Sequence, residues 1–114
     1  TIGDNFYCNK NCLFRAFDNI SIGKDVLLGW NVEMNTSDGH ILKIEDVLKN
    51  NHGPISIGDH VWVASHVGIA KNSSIAKGSV VAQRSLVTGT FSKVNIMVGG
   101  IPAKEIREPI NWQI

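Results

Sequence analysis

The sequence lacks the features that mark several classes of protein. Its 11 Lys and Arg residues nearly balance its 10 Asp and Glu residues, the formal net charge is +1, and the two signs are interspersed. No basic stripe therefore points to nucleic acid or to an anionic membrane surface. No apolar run approaches the ~18 residues of a membrane-spanning helix. We expect neither a nucleic-acid partner nor a membrane span.

Cysteine is also scarce, since Cys8 and Cys12 are the only two in the chain. Their Cys-x3-Cys spacing has no second pair, which makes it a poor signature for a metal site. We interpret both as small, buried apolar side chains in a reducing compartment, and we expect the protein to be cytoplasmic. The composition, 43% hydrophobic in 114 residues, suits one domain over 1–114 with a modest core.

Proline is absent from residues 55–101, and that stretch contains a repeat of six residues. Each repeat has a β-branched aliphatic residue, preceded two positions earlier by a β-branched residue or serine and followed directly by a small residue. These aliphatic positions are Ile57, Val63, Ile69, Ile75, Val81 and Val87. An earlier block has the same spacing at Ile22, Leu28 and Met34, and a looser one at Ile2, Cys8 and Phe14. Absence of proline suits a chain that forms backbone hydrogen bonds along its length.

The two periods of this pattern predict a coil. Period two within a repeat indicates a short strand, because alternate residues of a strand lie on one side. Period six across repeats indicates that identical strands and turns follow one another, and three of them per turn make the simplest closed coil. We therefore expect Ile57 to stack on Ile75, Val63 on Val81, and Ile69 on Val87. An antiparallel sandwich is the alternative, but strict intervals of six disfavour it.

The spacing is interrupted twice. Twenty residues separate Ile2 from Ile22, which predicts a two-residue bulge within "RAFDN". Twenty-three residues separate Met34 from Ile57 where six would suffice, so a long loop at about 36–54 must leave the coil and return. It contains "TSDGHIL", with a tight turn at Asp-Gly, and "IEDVLKN", for which we expect one or two helical turns. Because the repeat is already in phase at Ile2, we also expect residues to precede Thr1.

Three stretches besides the repeat resemble one family. The stretches "TSDGHIL", "GDHVWVASHVGI" and "VGGIPAKEIRE" are similar to the maltose/galactoside and polysaccharide-decorating O-acetyltransferases of the hexapeptide-repeat family, and the closing "PINW" fits the polysaccharide group best. The resemblance implies an all-β fold, a left-handed parallel β-helix with one projecting loop and a short C-terminal helix at about 102–108. It also implies acetyl-CoA as co-substrate, no metal requirement, a carbohydrate acceptor, and a homotrimer with its active sites between subunits.

In such enzymes a loop histidine acts as the catalytic base, and His40 occupies that position. A neutral imidazole with a pKa near ~6.5 is suited to take the proton of a hydroxyl group at neutral pH. Its second ring nitrogen must be held by another group. Asp38 or a loop carbonyl are the two candidates for this role, with the carbonyl preferred because Asp38 can cap its own turn.

Three residues are candidates for binding the acceptor. The resemblance places Asn9, directly after a core position, at an asparagine that contacts the acceptor in related enzymes. Asp18 falls in the bulge, where relatives also carry acidic residues. Trp62 faces outward near the interruption and offers a ring on which a sugar can stack, as does Trp30, although either can instead pack under the loop.

The donor groove is expected along the later coils, where small residues admit the narrow pantetheine arm. Ala64, Ser65 and Ala82 supply such residues, and Gln83 and Thr88 match contact positions in relatives. The lysine that usually follows this threonine is replaced by Gly89. The coenzyme phosphates are therefore assigned to Lys93, Lys104 or Arg107, and a helix beginning at Pro102 would put the last two on one side.

Two other functions fit the same coil. Zinc-dependent γ-type carbonic anhydrases share the architecture and bind metal through three histidines between subunits, and this chain has His40, His52, His60 and His66. His60 and His66 are one repeat apart and should lie on neighbouring faces, which disfavours a common metal. An inactive scaffold is the other alternative, and the intact Asp-Gly-His argues against it. The sequence leaves the acceptor sugar open.

Overall fold

The computed structural model describes all 114 residues, and its regular structure consists of 16 short strands with no helix. No helix is therefore available to cross a membrane. The strands are β1 (Tyr7–Cys8), β2 (Leu13–Arg15), β3 (Ile20–Ile22), β4 (Leu27–Leu28), β5 (Glu33–Asn35), β6 (Leu42–Ile44), β7 (Val47–Lys49), β8 (Ile55–Ile57), β9 (Trp62–Val63), β10 (Gly68–Ala70), β11 (Ser74–Ile75), β12 (Val80–Val81), β13 (Leu86–Val87), β14 (Thr90–Phe91), β15 (Met97–Gly100) and β16 (Ala103–Arg107).

Three sheets, parallel except for the last strand of the first sheet, form the sides of a coil with triangular section. The first face has the strand order β1-β4-β9-β12-β15-β16, the second β2-β5-β10-β13, and the third β3-β8-β11-β14. The chain turns from the first face to the second at the first corner, from the second to the third at the second corner, and back at the third corner. This left-handed parallel β-helix is the fold that the resemblance implied.

The predicted aliphatic ladders are confirmed. The three expected pairs are in register as parallel neighbours, Ile57 beside Ile75, Val63 beside Val81 and Ile69 beside Val87. Phe14 lies beside Met34 and Ile22 beside Ile57, so the extra residues of "RAFDN" bulge out where predicted. Buried side chains of these ladders form one core cluster. Cys12 is half-buried against it, whereas Cys8 is exposed, so the interpretation of both cysteines as buried was wrong for Cys8.

The corners depend on residues in the left-handed region of backbone space. Asn11, Asn31, His66 and Arg84 have φ between 58 and 64° and stack at the first corner. Asparagine tolerates this conformation better than most residues, and no β-branched residue occupies these positions. His60, with a φ of 52°, has the same role at the third corner. His60 and His66 therefore lie at the two corners that flank the first face, not on neighbouring faces as predicted.

The loop at 36–54 leaves the coil as expected, but its inner structure differs from the prediction. It forms an antiparallel hairpin of β6 and β7, hereafter the arm, in which Ile44 pairs with Val47. Glu45 and Asp46, with φ of 50 and 62°, make the two-residue turn that joins the strands. The helical turns expected in "IEDVLKN" were wrong, because these two positive φ values reverse the chain in the middle of that stretch.

The helix predicted at 102–108 was also wrong. Ala103–Arg107 form the strand β16, which runs antiparallel to β15. Gly100 adopts a φ of 106° that permits the reversal before Pro102. Since β15 belongs to the last coil, a helix here would leave its outer edge without hydrogen-bond partners, and β16 covers that edge. Lys104 and Arg107 therefore lie opposite Gly99 and Met97 in a ladder, not on one side of a helix.

Candidate active site

His40 lies on the outgoing limb of the arm, directly after a tight turn. The backbone N–H of Asp38 donates to the carbonyl of Asn51 at 2.7 Å, and the N–H of Gly39 donates to Ser37 Oγ at 3.0 Å. Gly39 has a φ of 89°, a conformation that favours glycine over any residue with a side chain. The Asp-Gly-His sequence thus turns the chain and presents an exposed His40 imidazole just beyond the root of the arm.

Asp38 is engaged elsewhere than at His40. Its carboxylate pairs with Lys71 Nζ at 3.3 Å and so ties the root of the arm to the second corner. Asp38 therefore holds the limb that carries His40, and a loop carbonyl as the group that orients the imidazole stays a prediction.

A groove of about 380 Å³ lies on the second face, beneath the root of the arm. Its lining combines small, polar and aliphatic side chains from the coil with two residues of the arm. They are Glu33, Asn35, Ser37, Asp38, Gly68, Ile69, Ala70 and Leu86. Of these, the sequence prediction had included only Asp38. Gly68 is the one feature of the sequence that could have indicated this groove. It lies in register between Glu33 and Leu86, and it has no side chain where both neighbours have one.

A strip of small residues runs down the first corner. Asn9, Gly29, Ala64 and Ala82 each donate their backbone N–H to a residue of the next coil, at distances between 2.7 and 3.1 Å, and so stack in one column. Three of them were predicted from the sequence and Gly29 was missed. A Cβ atom on Gly29 would collide with the backbone of Ser65, so this position excludes larger residues. Apart from Asn9, no residue of the strip has a side chain longer than a methyl group.

The other predicted donor residues are dispersed. Ser65 Oγ accepts a hydrogen bond from the Trp30 N–H at 3.0 Å at the first corner, where Gln83 is exposed one coil further on. Thr88 follows β13 at the second corner. Within one chain, Thr88 and the strip are therefore at different corners and do not form one site.

The candidates for the phosphate contacts differ in their ionic partners. Lys93 Nζ lies 2.7 Å from Glu108 and 3.2 Å from Glu105, and these two hydrogen bonds raise the pKa of the lysine. Both carboxylates already neutralise Lys93. Lys104 and Arg107, both exposed on β16, are the better remaining candidates.

Asp18 lies at the root of the arm. Its backbone N–H donates to Thr36 Oγ1 at 3.0 Å, and its Oδ2 lies 2.9 Å from His52 Nδ1. The hydrogen bond from His52, followed by that from the Asn19 N–H, lowers the pKa of the Asp18 carboxyl. The sequence analysis treated His52 only as a possible metal ligand. The contact with Asp18 was missed because the two residues are 34 positions apart and the spacing does not indicate that they meet.

Trp62 projects from the first face and is 37% exposed. Its ring centroid is 6.1 Å from that of Trp112, which in turn stacks on the His60 ring at 4.0 Å. The Trp112 Nε1–H donates to the His60 carbonyl at 2.9 Å, and His60 Nε2 lies 2.9 Å from the Trp112 carbonyl oxygen. Part of the Trp62 surface is thus covered by the C-terminal segment, while Trp30 is more exposed, at 53%.

Apart from Trp62, Lys104 and Arg107 on the first face, the predicted site residues form two groups on one chain. His40, Asp38, Asp18 and Thr88 belong to the second corner, whereas the strip that begins at Asn9 belongs to the first. The whole second face separates them. No group of three or more His, Cys, Asp or Glu side chains is placed to hold a metal ion.

No protein-family model matches the sequence. A Klebsiella pneumoniae protein described as an uncharacterized 24.8 kDa protein in the cps region is 44% identical over 98 residues, covering 86% of this chain and 44% of its own length. The galactoside O-acetyltransferase of Escherichia coli (strain K12) is 36% identical over 110 residues, covering 94% of this chain and 53% of the enzyme. The chain spans about half the length of these curated relatives.

Solved structures share the coil. A hexapeptide-repeat containing acetyltransferase from Vibrio cholerae is 32% identical with a TM-score of 0.81, covering 93% of this chain and 60% of its own, and it has also been solved with acetyl coenzyme A. The polySia specific acetyltransferase NeuO is 30% identical with a TM-score of 0.83, covering 99% of this chain and 47% of its own. By sequence and by fold, the homologues and structural neighbours of this chain are hexapeptide-repeat O-acetyltransferases, and the chain shares their coil over nearly its whole length.

Proposed function

We propose that the protein is an acetyl-CoA-dependent O-acetyltransferase that acts on a sugar hydroxyl of a polysaccharide or glycoside, with His40 as general base. The observation that carries this proposal is the placement of His40, just beyond a glycine turn on an arm rooted beside a groove. Relatives named as a galactoside O-acetyltransferase and a polySia specific acetyltransferase support a carbohydrate acceptor.

His40 performs one proton transfer in each direction. The neutral imidazole takes the proton of the acceptor hydroxyl as its oxygen forms a bond to the acetyl carbon. The bond between that carbon and the coenzyme sulfur breaks, and the imidazolium returns the proton to the departing sulfur. The acetyl group moves directly from sulfur to oxygen, so no covalent intermediate on the enzyme is required.

The strip at the first corner fits the donor. Gly29, Ala64 and Ala82 present no side chain longer than a methyl group, which leaves room for a narrow pantetheine chain against the coil. Lys104 and Arg107 on β16 supply positive charge for the phosphates at the far end. We assign Asn9, at the head of the same strip, to the acceptor.

A second copy of the chain completes the site. His40 and the strip lie at different corners, so the arm of one subunit must meet the strip of another for the reaction to occur. The arm also carries a set of apolar side chains that are half exposed or more and need a surface to cover them. They are Ile41, Leu42, Ile44, Val47 and Leu48. We propose a homotrimer, in which three-fold symmetry repeats this contact three times and closes.

Replacement of His40 by Ala tests the assignment. Turnover, measured as acceptor-dependent release of the coenzyme thiol, should fall by roughly 10²–10⁴ because the general base is lost. The fold should persist, since His40 is exposed and contributes no packing. Lys43→Ala, on the same hairpin, is the matched control and should keep its turnover. Near-normal turnover of the His40→Ala protein would refute the role of this residue.

A further inference from the structure

Asp18 and His52 form a pair that joins the first coil to the returning limb of the arm. Asp18 Oδ2 lies 2.9 Å from His52 Nδ1, and Asp18 Oδ1 accepts the N–H of Asn19 at 2.7 Å. Each carboxylate oxygen is therefore held by one donor. His52 is the only ionisable group among the causes that lower the pKa of Asp18.

The carboxylate retains capacity for a ligand. An ionised carboxylate offers about four acceptor positions, and two are used here. The Asp18 side chain is 27% exposed, so the carboxylate is partly accessible to a ligand from solvent. A group with these properties is suited to accept a hydrogen bond from a sugar hydroxyl, and its orientation is fixed before the sugar arrives.

His52 is also connected to the limb that carries His40. It forms an isolated antiparallel bridge with Ser37, three residues before His40. On the same limb, the Thr36 hydroxyl accepts the backbone N–H of Asp18. The pair and the root of the arm are thus one connected unit, and a shift of His52 would move Asp18 relative to the limb of His40.

We propose that His52 is a positioning residue, which orients the Asp18 carboxylate so that it accepts a hydrogen bond from a hydroxyl group of the carbohydrate acceptor. This inference rests on the proposed function. His52 itself does not touch the acceptor. It acts by directing the Asp18 oxygens, and so it should affect the acceptor and not the donor.

Steady-state kinetics of two His52 variants test this role. His52→Ala should raise the KM for the acceptor roughly tenfold, while the KM for acetyl-CoA stays unchanged and kcat changes less than about threefold. In His52→Asn, the side-chain amide nitrogen takes nearly the place of Nδ1, and the acceptor KM should return close to the wild-type value. Lys49→Ala, on the same limb, controls for disturbance of the arm.

Two further variants keep the test decisive. His52→Gln folds with a longer side chain whose amide is displaced from the Nδ1 position, and it should behave like His52→Ala even if the alanine variant does not fold. In an Asp18→Asn background, His52→Ala should add little further increase in acceptor KM, since both changes affect one interaction.

The outcomes separate the two proposals. If the wild-type protein transfers acetyl groups but His52→Ala and His52→Gln lower only the melting temperature and leave the acceptor KM unchanged, His52 is merely structural and this inference is wrong. If the wild-type protein transfers no acetyl group to any hydroxyl acceptor, the proposed function fails and the inference fails with it. A selective rise in acceptor KM that His52→Asn reverses would support the positioning role.

Discussion

The coil and the arm use similar apolar residues with opposite results. On the first face Leu28, Val63 and Val81 stack in one ladder, and each is 0% exposed. On the arm Ile41 is 67% exposed and Leu48 61%. The coil buries its aliphatic side chains because each strand has a neighbour above and below, whereas an isolated two-stranded hairpin has nothing to pack against. Stability therefore resides in the coil, and the arm depends on surfaces outside itself.

The coil and the arm also differ in the hydrogen bonds and ion pairs that hold them in place. Coil strands pair with strands one full turn away, while β6 pairs only with β7. The arm is held at its root by a few polar contacts, among them the Lys71–Asp38 and His52–Asp18 pairs. For the function that we propose, this arrangement would carry His40 outward from a rigid scaffold to the neighbouring subunit of the proposed trimer.

The largest stability difference should come from truncating one leucine in each region. Leu28→Ala leaves a cavity in a packed ladder and should lower the free energy of unfolding by about 2–5 kcal/mol. Leu48→Ala removes an exposed side chain and should change the unfolding of the isolated chain by less than ~0.5 kcal/mol. Denaturant titrations of both variants measure this. Equal losses would contradict the division into a stable coil and a dependent arm.

Mixing two inactive variants tests whether the arm works on another subunit's coil. His40→Ala disables the arm, and Ala82→Trp blocks the strip. Random mixed trimers should regain activity at roughly a quarter of their sites, where an intact arm meets an intact strip. Mass spectrometry should first establish that mixed trimers form. Formation without any recovery of activity would rule out a shared site.

Replacing one glycine with positive φ in each region should give a smaller difference in stability. Gly78 in the coil has a φ of 77°, and a Cβ atom there would also meet the side chain of Asn95. Gly78→Ala should lower the free energy of unfolding by about 1–3 kcal/mol. Gly39 on the arm has a φ of 89° and open space around it, so Gly39→Ala should reduce turnover with little change in global unfolding. A large loss of stability in Gly39→Ala would show that the arm contributes to folding.

The smallest effect on stability should come from the Asp18–His52 pair, which connects the coil to the arm. The pKa of Asp18 is lowered in the folded state from its ordinary value of 3.8. Its ionised form therefore contributes stability at pH values above 3.8, and this contribution is lost as the pH falls through the lower, folded-state pKa. The stability difference between the wild type and Asp18→Asn should shrink over that acid range. Asp46→Asn, at the turn of the arm, controls for the removal of one carboxylate, and parallel denaturation curves at each pH supply the comparison.

The sequence predicted the coil better than the arm for a physical reason. A ladder repeats one constraint many times, so the pairing of Ile57 with Ile75 and the bounds of the excursion followed from spacing alone. The arm depends on single events instead. Its hairpin requires positive φ at Glu45 and Asp46, and neither residue type by itself predicts a turn with positive φ.

The remaining errors arose where one sequence signal has two meanings. Pro102 is compatible with the first turn of a helix and with the turn before an edge strand, and the open edge of β15 decides for the strand. The pairing of Asp18 with His52 depends on how the bulge and the returning limb approach each other in space. Neither residue belongs to the repeat, so its period carries no information about their contact.

The strip from Asn9 through Gly29 and Ala64 to Ala82 also has a fixed length along the coil axis. Adjacent strands are ~4.8 Å apart, so these four positions span about 14 Å along the coil axis in three equal steps. Insertion of one complete 18-residue turn that matches the existing coils would lengthen this distance by one step and leave every face and corner in place. The length of the strip, which we propose to hold the donor, can therefore change in increments of one coil, independently of the arm.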